Sequence, residues 1–225
     1  PDGFIRRAAL VARYQDALYP SLALETARVY TLVEQIETQT FEQDGIQLFQ
    51  AIKLKEQWIE TDEYGQILIP YKGRQFSFPY YSATDVLTGQ VGADELAGAV
   101  AFVGTSATGL ADLRATPVGN QYPGVEVHAN VFESLIHPEY MPFEPNESVA
   151  INLLLTITTG VLLAFFLPKR GATSISVIAL FFLALHIGVN WYLWFFYQVS
   201  LPYFLHLVLI IWLSIYFSTT AYFTE

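Results

Sequence analysis

Between Ser148 and Thr224 the chain carries only two charged side chains, Lys169 and Arg170, side by side between long apolar runs. The hydrocarbon core of a bilayer is about 30 Å thick, and a helix rising about 1.5 Å per residue needs roughly 20 apolar residues to cross it. Segments 148–167, 173–195 and 201–223 meet that length, so three membrane-spanning helices are expected. Burying them in a soluble core would need more protein than residues 1–147 supply. Loop 168–172 holds both cations, and short loops rich in Lys and Arg stay cytoplasmic. That places residues 1–147 and the turn 196–200 outside, and residues 224–225 at the start of a cytoplasmic linker. Trp191, Tyr192, Trp194, Tyr197 and Tyr203 gather near the outer turn, as an interfacial aromatic belt would. The expected location is a cell membrane, inner or plasma, with a multi-pass chain in contact with lipid.

The outer segment holds 20 acidic and 9 basic residues, a net charge of −11 that opposes nucleic-acid binding and adhesion to anionic lipid. With no cysteine in the chain, an exported domain must be held by its core, without disulfides or thiolate metal sites. Its length suits one domain. The chain starts at Pro1 with neither signal peptide nor preceding span, so it reads as a fragment of a longer exported protein.

Residues 4–14 are β-compatible, and Gln15-Asp16 starts a turn toward Leu18-Tyr19, which predicts a hairpin. Ser21 opens an expected amphipathic helix with Leu22, Ala23, Thr26, Val29, Tyr30, Val33 and Ile36 on one face and Glu25, Arg28, Glu34 and Glu37 opposite. Strands are expected at 46–54, 57–59 and 66–69, the last two joined as a hairpin by the turn 61–65. Ser82 can cap a short helix that Gly89 ends. The apolar run 99–103 suits a buried strand, Gly104 to Gly109 a turn, and Pro123-Gly124 the start of a helix over 125–136. In that helix Val125, Ala129, Phe132 and Ile136 share one face, and Glu126, Asn130 and Glu133 another. The fold class is therefore an α+β sensor-sized domain, a central sheet flanked by helices, followed by three transmembrane helices.

F-V-G-T-S-A-T-G-L-A-D-L-R-A-T-P (102–117) followed by P-G-V-E-V-H-A-N (123–130) closely resembles the signature of the CHASE domain of the second type, an extracellular sensory domain. P-D-G-F-I-R-R (1–7), Y-P-S-L-A-L-E (19–25), I-P-Y-K-G (69–73) and Y-S-A-T-D-V-L-T-G (81–89) resemble that family's other blocks in the same order. The resemblance covers residues 1–137, and the three spans match the family's usual arrangement before a cytoplasmic effector. It departs at the front, where the family's amino-terminal span and first strands are missing. The matching positions are Arg6, Arg7, Gly104, Thr105, Ser106, Gly109, Asp112, Arg114, Thr116, Pro117, Pro123, Gly124, Glu126, His128, Ala129 and Asn130. The family's effectors include class III nucleotide cyclases and histidine or serine/threonine kinases. The end Ala221-Tyr222-Phe223-Thr224-Glu225 resembles the entry to a cyclase, which implies a homodimer, because such cyclases build their active sites between two catalytic domains.

Ser106, Asp112 and His128 occur in the chain order of a hydrolase triad, so an extracytoplasmic hydrolase using Ser106 is a rival reading. The nucleophile elbow G-x-S-x-G is not met, because Gly104-Thr105-Ser106-Ala107-Thr108-Gly109 has one residue too many. No catalytic residue is therefore assigned. Gly104 to Gly109 with Arg114 could cradle an anion, but the phosphate-loop and dinucleotide fingerprints are both missing, and Asp112 with Arg114 reads first as a loop-fixing pair. His128 and His137, nine apart, do not make a metal pair, so no metal and no cofactor are expected. His186, Asn190 and His206 fall inside spans, where polar groups face other helices; hydrogen bonds between helices are expected rather than an ion path. The function expected is sensory input to a cyclase, with a kinase as the alternative effector and an extracytoplasmic ligand of unknown identity.

If Lys169 and Arg170 hold their loop inside, Gly171→Cys in intact cells resists a membrane-impermeant thiol reagent while Gln43→Cys and Gly119→Cys react. Labelling of Gly171→Cys alone reverses the topology.

Overall fold

The computed structural model describes residues 2–15, 17–105, 109, 112–142, 148–168 and 170–224; Ser106 and Lys169 lie outside the described residues. The chain forms two compact units, Pro1–Met141 and Pro142–Glu225.

In the first unit, β1 (Arg7–Ala9) is followed by the hairpin of β2 (Val11–Tyr14) and β3 (Ala17–Pro20), in which Val11 faces Pro20. Helix α1 (Leu22–Tyr30) starts where the Ser21 hydroxyl accepts from Leu24 N at 3.3 Å. It stops earlier than the apolar spacing predicts. Leu32 takes a left-handed φ of +58°, Val33 N donates to Arg28 O, and Leu32 N donates to Val29 O, the bonding of a Schellman end. Arg28, paired with Glu25 at 2.7 Å, also donates to the Val33 and Glu34 carbonyls and holds that turn. The buried face is Ala23, Leu24 and Ala27, while Leu22, Val29 and Tyr30 are exposed.

Beyond the turn come β4 (Glu37–Gln43), β5 (Ile46–Leu54) and β6 (Gln57–Glu60), an antiparallel meander. Asp44 and Gly45, both at positive φ, make the two-residue β4–β5 turn whose twist suits adjoining strands. Strand β7 (Gln66–Leu68) was expected to return along β6 but pairs with β1, Arg7 opposite Leu68. The cause is Asp62. Its Oδ1 accepts from Tyr64 N and Gln66 N, and its Oδ2 takes the Arg7 guanidinium at 3.3 Å, so the turn aims β7 at β1. In place of one central sheet the described residues form four small antiparallel ones, within the α+β class.

Helix α2 (Ala83–Leu87) is capped by Ser82 and closed by Gly89 at φ +73°; α3 (Ala93–Leu96) follows. The run 99–103 is not a strand. Val103 is 93% exposed, and Phe102 alone finds cover, edge-on to Phe132 at 5.7 Å. Apolar content there exceeds the surface available to hide it. The hairpin of β8 (Leu113–Thr116) and β9 (Gly119–Pro123) then feeds α4 (Gly124–Ile136). Leu24, Ile52, Ile59, Tyr122, Val131 and Leu135 form the centre of the core. The α4 face assigned to Glu126, Asn130 and Glu133 is largely buried: Glu126 and Asn130 are both 2% exposed.

The second unit is α5 (Ser148–Phe166), α6 (Ala172–Tyr197) and α7 (Phe204–Thr224), three helices long and apolar enough to cross a membrane. They meet along Leu163, Ile175, Phe182 and Ile210, and leave Leu154, Phe165 and Phe204 outward, where lipid would cover them.

Candidate functional site

A buried carboxylate needs donors on every side, because an ionised group out of water is costly unless hydrogen-bonded. Glu126, in the first turn of α4, finds them in the segment before α2. Phe76 N donates to its Oε2 at 2.9 Å, Ser77 N to its Oε1 at 2.8 Å, and Tyr80 Oη to its Oε2 at 2.9 Å. Phe76 accepts a φ of +68° to present its amide. One turn on, Asn130 Oδ1 accepts from Lys72 N at 2.9 Å, and its Nδ2 donates to Tyr122 Oη at 2.9 Å and to the Glu126 carbonyl at 2.7 Å. Tyr122 is fully buried and stacks edge-on against Tyr71, whose hydroxyl donates to Ile5 O. Burial pushes the Tyr122 phenol up to about 12 and raises Tyr71; burial and then the Glu126 bond raise Tyr80.

The i, i+4 spacing that turns Glu126 and Asn130 toward this network turns Val127, His128 and Val131 the other way. There they line a cavity of about 270 Å³ with Arg7 of β1, Ser21 at the α1 cap, and Asp112 and Arg114 around the start of β8. Asp112 and Arg114 pair across 3.2 Å, both partly exposed. Asp112 O accepts from Gly124 N at 2.8 Å, and a Cβ at Gly124 would come within 2.4 Å of the Asp112 carboxylate, which would have to move aside. Gly104 is constrained in the same way, since a Cβ there would come within 2.6 Å of Val125 Cβ.

Of the positions picked out by sequence, the structure thus gathers Arg7, Asp112, Arg114, Gly124 and His128 around one cavity and sends Glu126 and Asn130 to the network behind it. Arg6 stands apart, in an exposed pair with Asp2 at 2.8 Å; that bond holds the Asp2 carboxyl below the usual carboxylate range. Thr116, whose hydroxyl donates to Gly119 O at 3.0 Å, and Pro117 shape the β8–β9 turn. Pro123 precedes α4, Ala129 is half-buried on it, Thr105 is exposed, and Gly109 takes a φ of +96°. Arg170 lies in the connection between α5 and α6. Among the described residues no cluster of metal-binding side chains occurs.

Compared with known protein families, residues 1–163 match the CHASE2 domain. The chain belongs to the CHASE2 family. It is therefore an extracellular sensory domain with a membrane anchor, and the family match runs from β1 into α5. No curated protein and no solved structure matches this CHASE2 chain.

Tyr71, Lys72, Tyr80 and Tyr122 carry no role in the sequence reading, and Ser21 figures there only as a helix start. Their signal was available, since Ser21 sits in Y-P-S-L-A-L-E, Tyr71 and Lys72 in I-P-Y-K-G, and Tyr122 directly before P-G-V-E-V-H-A-N.

Glu126→Ala leaves two loop amides without acceptors and is expected to cost about 2–4 kcal/mol, read as a lowered urea midpoint of the outer domain. A surface-like change below about 0.5 kcal/mol would contradict the network. The raised phenols fix a pH response. A tyrosine that keeps its proton longer when folded adds stability that is intact below its unfolded value near 10 and is lost as pH rises toward 12. The thermal midpoint should fall across that window, and Tyr122→Phe should flatten the fall.

Proposed function

We propose that this CHASE2 chain is the sensory input and membrane-anchor module of a receptor that detects a small anionic solute and relays its presence to a cytoplasmic class III adenylate or guanylate cyclase. The observation that carries this reading is the cavity itself. In a segment of net charge −11, its wall presents two guanidiniums and an imidazole against one carboxylate. The start of α4 adds the positive end of a helix dipole to the same wall. A carboxylate or phosphate group suits such a lining, and a volume of this order admits a molecule of metabolite size.

Lys169 and Arg170 support an orientation with the cavity outside and the α5–α6 connection inside. The aromatic end of α7 and the likeness to cyclase receptors support the effector, and the effector class in turn supports a homodimer. Asp112 is engaged by Arg114 and packed against Gly124, an arrangement that favours a sensor wall over a hydrolase triad.

The test uses the bilayer-embedded parent protein titrated with inorganic phosphate, with citrate, and with a neutral polyol. At 100 times its dissociation constant a bound anion adds about 2.7 kcal/mol, which raises the outer domain's midpoint by roughly 5–10 °C. Either anion should do so, the polyol should not, and Arg114→Gln should lose the shift. Cyclic-nucleotide output should change with the same dose. A midpoint insensitive to both anions removes the ligand class; a shifted midpoint with no nucleotide product removes the cyclase.

A further inference from the structure

In the helix trio one buried side chain, and one covered atom of a partly exposed side chain, are left unbonded. His206, 2% exposed, has neither ring nitrogen in a hydrogen bond, and Asn152 has its Oδ1 unpaired. In hydrocarbon such groups are costly, because neither lipid nor an apolar neighbour can substitute for water. Both line one small cavity of about 30 Å³, together with His186 and Asn190.

The surrounding bonds show how this pocket is framed. Asn190 Nδ2 donates to Leu201 O at 2.9 Å, and Asn152 Nδ2 donates to Pro202 O. Asn190 stands seven residues before the end of α6 at Tyr197, about 10 Å back along the helix at 1.5 Å per residue. The segment after α6 therefore doubles back alongside it before α7 begins, and non-helical backbone at that depth persists only where protein or water satisfies it. The two asparagines satisfy the Leu201 and Pro202 carbonyls. His206, in the first turn of α7, stacks on His186 with ring centroids 4.8 Å apart, and His186 Nε2 shares a hydrogen bond with Thr159 Oγ1 of α5 at 3.0 Å. All three helices thus contribute to one polar cluster, incomplete only at Asn152 Oδ1 and His206.

We propose that this cavity is a binding site for one water molecule, held between Asn152 Oδ1 and a His206 ring nitrogen. The cavity's 30 Å³ or so exceeds the roughly 10–15 Å³ that a single water needs. The neutral imidazole offers one donor and one acceptor. The water accepts from the ring N–H or donates to the bare nitrogen, and donates its remaining proton to Asn152. It links Asn152 of α5 to His206 of α7, so the trio is pinned at this end by hydrogen bonds and at Leu163 and Ile210 by apolar contact.

The experiment is solid-state NMR on the nitrogen-labelled chain in lipid bilayers, with magnetisation transferred from water. Transfer is expected to the His206 ring and the Asn152 amide and not to the amides of Leu163 and Ile210. In His206→Phe the transfer to Asn152 should disappear, and in Asn152→Leu the transfer to His206 should fall at least severalfold. The measurement on the unaltered chain decides by itself if a variant fails to insert. Dry signals at both residues overturn the proposal, as does transfer to Asn152 that survives His206→Phe. So does a His206 signal that moves on adding zinc ion without any water transfer, which would make the pocket a metal site.

Discussion

The outer unit depends on one carboxylate held away from water. Glu126 is satisfied by two main-chain amides and a phenol from the segment between β7 and α2, so that segment and α4 cannot separate without exposing unpaired groups on both sides. Asn130 repeats the device one turn later with Lys72 N and Tyr122. With one face of α4 anchored, the opposite face is fixed in rotation, and this aims His128, Val127 and Val131 at the cavity. The strain of a positive φ at Phe76 is tolerated because Glu126 rewards it.

A second constraint is the separation of charge. In an outer segment of net charge −11, Arg7 pairs with Asp62 and Arg114 with Asp112, and both arginines line a common wall. Ion pairs so exposed add little to stability. Their value is directional: they hold two long, flexible side chains along the cavity wall. Gly124 completes the arrangement by letting Asp112 lie against the start of α4.

The membrane unit obeys a different economy, in which apolar surface is inexpensive and each polar atom needs a partner. Its histidines and its asparagines Asn152 and Asn190 therefore concentrate at the end where the chain doubles back, and apolar contact continues along Leu163, Phe182 and Ile210. Of the hydrogen bonds between helices that their placement within spans had suggested, His186 makes one with Thr159, whereas His206 only stacks on His186.

How much of this was legible beforehand follows the range of the forces involved. The three spans were readable because hydropathy over about 20 residues is a local sum that no tertiary contact can reverse. The Ser21 and Ser82 caps, the Gly89 stop and the start of α4 were readable for the same reason, since capping acts within four residues. The family blocks marked Arg7, Asp112, Arg114 and His128 as positions of interest without saying that they converge. Only tertiary structure decided the partner of β7, set by an Asp62–Arg7 pair 55 residues apart, and the exposure of 99–103, where cover ran out. It also decided the burial of Glu126 and Asn130. By residue type both belong on a solvated face, and what overrode that preference was a set of amide donors supplied from about fifty residues earlier in the chain, invisible to any local pattern.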